Sequence, residues 1–198
     1  MTEEPTDHSP KAIVIGASAG AVDALLQILP SLPRDYPLPL IIVVHLPPAP
    51  FTNLAGLFAS HCQIEVKEAE DKEQIRPATA YFAAPDYHLL IEPDLRLSLS
   101  SEEPVLYSRP SIDVLFESAA DAYGDSLIGI ILSGANSDGA RGLKAIVAAG
   151  GAALVQTPAT ALAAAMPQAA LAACPTARAL TLGEIATALR TEPLFDRP

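Results

Sequence analysis

Three polar residues of the chain, Ser18, His45 and Asp138, have the side chains that a nucleophilic relay requires. A serine hydroxyl attacks an acyl carbon when a base takes its proton. Imidazole is the usual base, and a carboxylate orients the imidazole and stabilises its charged form. These residue types therefore indicate acyl-transfer chemistry, provided that the fold brings them together.

Ser18 lies within Gly-Ala-Ser-Ala-Gly at residues 16–20, which has the G-x-S-x-G spacing of a nucleophile elbow. Residues 11–15 are typical of a buried strand, and residues 22–29 place their apolar side chains on one helical face, so the serine lies in a strand-to-helix turn. Free N–H groups at the helix start favour an oxyanion. Two alternatives stay open: a serine that only caps the helix, and a phosphate-binding loop, although the G-x-G-x-x-G spacing is missing.

His45 and Asp138 follow two other predicted strands, at residues 40–44 and 127–132. Because open α/β sheets place their ligand crevices at the carboxyl ends of the strands, the three loops should meet. The order serine, histidine, aspartate differs from that of α/β-hydrolases, but triads are defined by geometry. The alternatives are a structural histidine bonded to backbone, and an aspartate that caps the helix beginning near residue 140.

Other histidines and acidic residues occupy less suitable places. The remaining histidines lie in an N-terminal arm, on a helix and in predicted β-structure: His8, His61 and His88. Asp23 and Asp113 occupy first helical turns, where interaction with the helix dipole is a sufficient explanation. None of these residues shares the predicted position of the relay.

Strand and helix patterns alternate along most of the chain, which predicts an α/β fold: a doubly wound, mainly parallel sheet with helices on both faces. Further strands are predicted at residues 64–68 and 152–156, and helices at 51–61, 112–123, 143–147, from Pro167 and from Thr181. Ser111 should cap the second of these helices, and Thr181 with Glu184 has the spacing of a capping box. Residues 79–83, 87–91 and 95–99, separated by Pro-Asp pairs, predict an antiparallel hairpin or meander inserted into this pattern.

The composition limits the classes of partner. A formal net charge of −11 disfavours nucleic acids and anionic membrane surfaces, because both would repel the protein. Cys62 and Cys174 have neither the number nor the spacing of a disulfide framework or a zinc site. No apolar run approaches the roughly 18 residues of a membrane span. We therefore expect a flexible arm over residues 1–10, one domain over residues 11–198, no membrane insertion and a cytoplasmic location.

Five segments resemble the catalytic domain of CheB-type protein-glutamate methylesterases, in the same order and at similar separations over about residues 11–189. They are IVIGASAG, VVHLP, RPSIDVLFESAA, LSGANSDGARG and AMPQAAL. The resemblance implies that Ser18 is the nucleophile, His45 the general base and acid, and Asp138 the third member. It also implies hydrolysis of methyl esters on glutamate side chains of chemoreceptor signalling helices, with deamidation of some glutamines, through a glutamyl-enzyme and without metal or cofactor.

The chain departs from the family pattern at two positions beside the expected site. Gly20-Ala21 replaces two glycines, and Ala135-Asn136 stands where Met-Gly is frequent. Since backbone donors tolerate side-chain changes, we predict that the N–H groups of Ala19 and Ala135 bind the oxyanion. A non-catalytic binding module in a chemosensory complex, and a small-molecule carboxylesterase, stay open as alternatives.

The family typically begins with a phosphoacceptor receiver domain, whereas residues 1–10 alone precede the first predicted strand. The chain is therefore expected to be either a stand-alone esterase or a fragment, and Met1 favours the first. Control by phosphorylation is not assumed.

Overall fold

A computed structural model describes residues 11–45 and 53–191 of the chain. The strands in these residues are β1 (Ala12–Ala17), β2 (Leu40–Val44), β3 (Glu65–Glu68), β4 (Thr79–Phe82), β5 (His88–Ile91), β6 (Leu97–Ser100), β7 (Leu127–Ile131), β8 (Ala152–Gln156) and β9 (Arg178–Leu180). Seven of them form a parallel sheet in the order β3-β4-β2-β1-β7-β8-β9. The predicted doubly wound, mainly parallel sheet is confirmed.

The helices cover both faces of this sheet. They are α1 (Ala21–Ile28), α2 (Leu54–Ala59), α3 (Ile112–Tyr123), α4 (Ala140–Ala148), α5 (Ala165–Ala173) and α6 (Leu182–Arg190). The core is divided by the sheet: α1, α2 and α6 pack with Ile13 and Ile15, and α3, α4 and α5 lie in the cluster that contains Val14. This division follows from the alternation of side chains along a strand. No helix of the described residues is long and apolar enough to cross a bilayer.

Strand β1 lies at the centre of the sheet and sets the position of its neighbours. All residues of β1, β2 and β7 are buried, as expected for parallel strands covered on both faces. Ala17 pairs with Val44 of β2, and Gly16 pairs with Ile131 of β7. The three strands therefore end level with one another, and the loops that follow them leave from one edge.

The antiparallel insertion is smaller than a three-stranded meander. Among the strands of the described residues, β5 and β6 are the one antiparallel pair, so the hairpin form of the prediction is confirmed. Residues 79–83 belong instead to β4, which lies between β3 and β2 with parallel pairing on both sides. All four residues of β4 are buried, which fits a strand inside a covered sheet. The Pro-Asp pairs predict the turns correctly, but they do not show which strands pair with β4.

The other predicted elements differ mainly at their ends. Helix α2 begins at Leu54, capped by Asn53, and ends before His61, while residue 51 and the predicted arm over residues 1–10 lie outside the described residues. The Thr181–Glu184 capping box is present. Ser111 holds the N-cap position of α3, but its hydroxyl makes no capping bond.

Helices α3 and α4 pack closely because Gly142 lies between them. A Cβ atom at Gly142 would lie 2.5 Å from Phe116 Cβ and 3.1 Å from the Asp113 carbonyl oxygen. Neither neighbour is the free end of a flexible side chain, so a methyl group there would force the helices apart.

Gly142→Ala is therefore expected to lower the free energy of unfolding by about 1–2 kcal/mol, because overpacking outweighs the gain in helix propensity. Chemical denaturation measures this change. Gly183→Ala is the matched control, since nothing lies within 4 Å of a Cβ in that position of α6; there the better helix former should raise stability by roughly 0.5 kcal/mol. Equal effects at the two positions would contradict the packing argument.

Candidate active site

The three predicted relay residues lie at the edge where β1, β2 and β7 end. Ser18 directly follows β1, and its N–H donates to the Ser133 carbonyl oxygen at 2.9 Å, just beyond β7. His45 directly follows β2, and its N–H donates to the Ala17 carbonyl oxygen at 3.0 Å. The His45 Nε2 atom lies 2.8 Å from Asp138 Oδ2. The three loops therefore lie at one edge of the sheet, and the His45 imidazole binds the Asp138 carboxylate.

The turn around Ser18 connects the end of β1 to the start of α1 within three residues. Gly20 caps α1 with φ of +84°, in the left-handed region that favours glycine. Ser18 itself is half-buried between the strand end and this turn. In the described residues the side-chain partners of the imidazole are Asp138 and Asn136, and not the Ser18 hydroxyl. Catalytic hydrogen bonds often tighten only when substrate is bound.

Asp138 is fully buried and receives four hydrogen bonds. Besides His45, its carboxylate accepts from the Ser111 hydroxyl at 2.9 Å, the Ile112 N–H at 2.7 Å and the Asp113 N–H at 3.0 Å. The last two N–H groups open helix α3, where the helix dipole favours an anion. The alternative in which Asp138 caps α4 is wrong: Gly139 occupies that position, and the carboxylate binds the start of the neighbouring helix instead.

These contacts keep the Asp138 carboxylate ionised. Burial alone would raise the pKa of Asp138, but the hydrogen bonds from His45, Asp113 and Ile112 outweigh burial and lower the pKa from the ordinary 3.8. A lowered folded-state pKa means that the carboxylate stabilises the fold at all pH values above the ordinary one. That contribution is lost as the pH falls through the lowered value.

Asp113 makes the reciprocal contact, so interaction with the dipole of its own helix is not a sufficient explanation for it. Its carboxylate, which is almost fully buried, accepts from the N–H groups of Gly139 at 3.0 Å and Gly142 at 2.7 Å, at the start of α4. Burial raises the pKa of Asp113, the Gly142 hydrogen bond opposes that rise, and the charge of Asp138 adds to it. The start of α3 thus binds Asp138, which precedes α4, and the start of α4 binds Asp113, which lies in the first turn of α3.

His88 supports the Asp138 carboxylate from behind. Its Nδ1 atom accepts the Ser111 N–H at 3.1 Å, and its Nε2 atom donates to the Glu103 carbonyl oxygen at 3.1 Å. This places Ser111 so that its hydroxyl reaches Asp138. His88 is not a rival base, because its ring is buried and therefore closed to a substrate.

The surroundings of His45 select one neutral form of its ring. Asp138 Oδ2 is an acceptor, so Nε2 carries the proton and Nδ1 has the lone pair. Asn136 agrees with this assignment: its Oδ1 accepts the Asp138 N–H at 3.1 Å, which turns its NH₂ group toward Nδ1 at 3.4 Å. The nitrogen that can accept a proton is therefore Nδ1.

In the described residues no group of three or more His, Cys, Asp or Glu side chains is arranged to hold a metal ion. The structure joins His45 to Asp138 and places Ser18 on the adjacent strand end; the catalytic roles of the three stay predictions. The contacts of Ser111, Asp113, His88 and Asn136 in this site were not predicted, although the residues were named, because these contacts join residues far apart in the sequence.

Comparison with known proteins gives one consistent result. The family model for CheB methylesterase matches residues 13–189. A putative protein-glutamate methylesterase/protein-glutamine glutaminase of Leptospira interrogans serovar copenhageni is 49% identical over 176 residues, covering 89% of this chain and 91% of that protein. The crystal structure of the Thermotoga maritima CheB methylesterase catalytic domain superimposes with a TM-score of 0.86 at 30% identity, covering 91% of this chain and 97% of that one.

Longer relatives match over part of their length. A protein-glutamate methylesterase/protein-glutamine glutaminase of Halalkalibacterium halodurans is 43% identical over 145 residues, which cover 72% of this chain and 42% of the relative. The corresponding protein of Archaeoglobus fulgidus is 37% identical over 162 residues, covering 80% of this chain and 46% of the relative. This chain therefore aligns with less than half of each of these two proteins.

The tautomer of His45 can be measured directly. We expect ¹⁵N NMR of the neutral ring to show Nε2 protonated and Nδ1 unprotonated, because Asp138 accepts from Nε2. Asp138→Ala should weaken this preference, whereas Asn136→Ala should keep it, since the stronger of the two contacts is left intact. A proton on Nδ1 of the unmodified protein would contradict the assignment.

Proposed function

Because the chain belongs to the CheB methylesterase family, we propose that it is a protein-glutamate methylesterase that acts on chemoreceptor helices. The observation that supports this most strongly is the buried Asp138 carboxylate bonded to His45 beside the Ser18 turn. That arrangement suits hydrolysis of a carboxylic ester on a glutamate side chain. The same acyl chemistry extends to glutamine amides, in keeping with the glutaminase named for the relatives.

The first half of the proposed reaction forms an acyl-enzyme. The Ser18 oxygen attacks the ester carbonyl carbon while His45 Nδ1 takes the hydroxyl proton. The tetrahedral intermediate collapses, the bond to the methoxy oxygen breaks, and methanol leaves with the proton that His45 held. A glutamyl ester of Ser18 remains.

The second half returns the enzyme to its starting state. A water molecule gives a proton to His45 Nδ1 and attacks the glutamyl ester carbon. The second tetrahedral intermediate then releases Ser18, which regains its proton from the imidazole. The product is the carboxylic acid of glutamate, which loses its remaining proton to water. Ester and water are consumed, and methanol and acid are formed.

Asp138 has two proposed tasks in these steps. Its hydrogen bond from Nε2 fixes the ring so that the Nδ1 lone pair faces the reacting atoms, and its negative charge stabilises the imidazolium that forms in each half. Both tasks require the carboxylate to stay ionised while buried. The N–H groups of Ile112 and Asp113 and the Ser111 hydroxyl donate the hydrogen bonds that water would otherwise give the carboxylate.

The oxyanion is proposed to bind the backbone N–H groups of Ala19 and Ala135. Neither group donates a backbone hydrogen bond within the described residues, so both are free to bind a ligand there. The replacement of a family glycine by Ala21 is compatible with this arrangement, because Ala21 begins α1 and needs no positive φ. Gly20, which does have a positive φ, is retained.

The remaining assignments rest on family membership. We propose that methylated chemoreceptor helices are the partner, that the protein works in the cytoplasm, and that residues 11–198 form a single catalytic domain. A non-catalytic binding module with the same fold is the competing function, and the following experiment separates the two.

Ser18→Ala should abolish methanol release from a methyl-esterified chemoreceptor fragment. Triad precedents give a loss of roughly ten thousand-fold or more in kcat, because the acyl-enzyme no longer forms. Methanol assays under saturating substrate measure this loss, and circular dichroism checks the fold.

Ser60→Ala is the matched control, because Ser60 is an exposed serine at the end of α2. It should release methanol at the unmodified rate. Unchanged release by Ser18→Ala would rule out this nucleophile. An unmodified protein that binds the fragment but neither releases methanol nor reacts with a serine-directed phosphonate would instead be a binding module.

A further inference from the structure

The loop between β8 and α5 presents a leucine to solvent in a fixed position. Leu162 is 77% exposed, yet the next residue is held firmly: the Ala163 N–H donates to the Ser133 hydroxyl at 2.9 Å, and the Ala163 carbonyl accepts the Gly134 N–H at 3.0 Å. These bonds tie the loop to the end of β7. Leu162 is therefore displayed by a rigid segment rather than by a loose one.

Leu162 lies directly against the nucleophile turn. A Cβ atom at Gly20 would lie 2.9 Å from Leu162 Cβ and 3.1 Å from the Ser133 hydroxyl oxygen. The same Ser133 accepts the Ser18 N–H through its carbonyl. Leu162 thus lies against the turn that follows Ser18, and Ser133 binds both the loop of Leu162 and the backbone of Ser18.

The chemistry of the proposed substrate brings a helix onto this surface. A glutamate ester carbon is separated from the helix backbone by only a short methylene chain, so the helix must approach closely when the ester reaches Ser18. Residues three and four positions from the esterified glutamate lie about 5–6 Å from it along the helix. A side chain one turn away is thereby placed over the residues that border Ser18.

We propose that Leu162 is a specificity-determining residue, which packs against an apolar side chain one helical turn from the methylated glutamate. This inference rests on the proposed function and adds the class of substrate segment that fits: an amphipathic helix with an apolar neighbour beside the ester. Long-range attraction does not supply this selectivity, because a chain of net charge −11 is repelled by a glutamate-bearing helix. Short-range apolar burial does.

The test compares a helical substrate with a small one. Leu162→Asp should lower kcat/KM for methanol release from a methyl-esterified chemoreceptor fragment by at least about tenfold, the effect expected when a leucine contact is lost and a charge is added. Hydrolysis of p-nitrophenyl acetate, which has no helix to contact Leu162, should stay within about twofold of the unmodified protein. The kcat/KM of Leu162→Ala for methanol release from the fragment should lie between the values for the unmodified protein and for Leu162→Asp.

Leu95→Asp is the matched control. Leu95 is 40% exposed, in the turn between β5 and β6. Ile91, at the end of β5 next to this turn, contacts α3 at Ser118, whereas His88, at the other end of β5, contacts Ser111. The turn therefore lies at the end of the hairpin that is far from the site. The kcat/KM of Leu95→Asp should equal that of the unmodified protein on both substrates.

The outcomes separate the two proposals. If the unmodified protein releases no methanol from the fragment, the proposed function itself fails. If it does, and Leu162→Asp matches it on both substrates, the role of Leu162 is overturned while the function stands. An equal loss on both substrates would also overturn that role, because it would show damage to the chemistry rather than to helix recognition.

Discussion

A buried carboxylate that is held by the start of a helix is the constraint on which this site depends. Asp138 is removed from water, and an unpaired charge in that position would be strongly destabilising. The first N–H groups of α3 and the Ser111 hydroxyl offset this cost, and the remaining bond is left for His45. The imidazole is therefore oriented by a group whose own position is fixed by the fold.

A second buried carboxylate, that of Asp113, is stabilised in the same way by the start of α4. Asp113 is a residue of α3, and its carboxylate accepts hydrogen bonds from the start of α4. The loop that carries Asp138 ends where α4 begins. The close approach at Gly142 allows this exchange, since the two helices must be near enough for each carboxylate to reach the other helix. Packing between α3 and α4 is thus a condition for the geometry of the site, although neither helix contributes a residue of the relay itself.

Much of the architecture could be predicted because buried parallel strands and amphipathic helices have clear periodicities. The register of β1 with its neighbours then brought Ser18 and His45 to one edge, as the sheet rule requires. The partner of β4 could not be predicted, since its pairing joins residues separated by long connections. Asp113 and His88 were misjudged for a related reason: their hydrogen-bond partners are distant in the sequence, and local patterns carry no signal of them.

The central claim is that Ser18, His45 and Asp138 act as one relay with Nδ1 as the reacting nitrogen. The most direct measurement is a crystal structure of the protein after reaction with a serine-directed phosphonate. The account predicts an adduct on Ser18 Oγ, His45 Nε2 still bonded to Asp138, and Nδ1 within hydrogen-bond distance of an oxygen of the adduct. An adduct on another residue, or an imidazole turned away from Ser18, would contradict it.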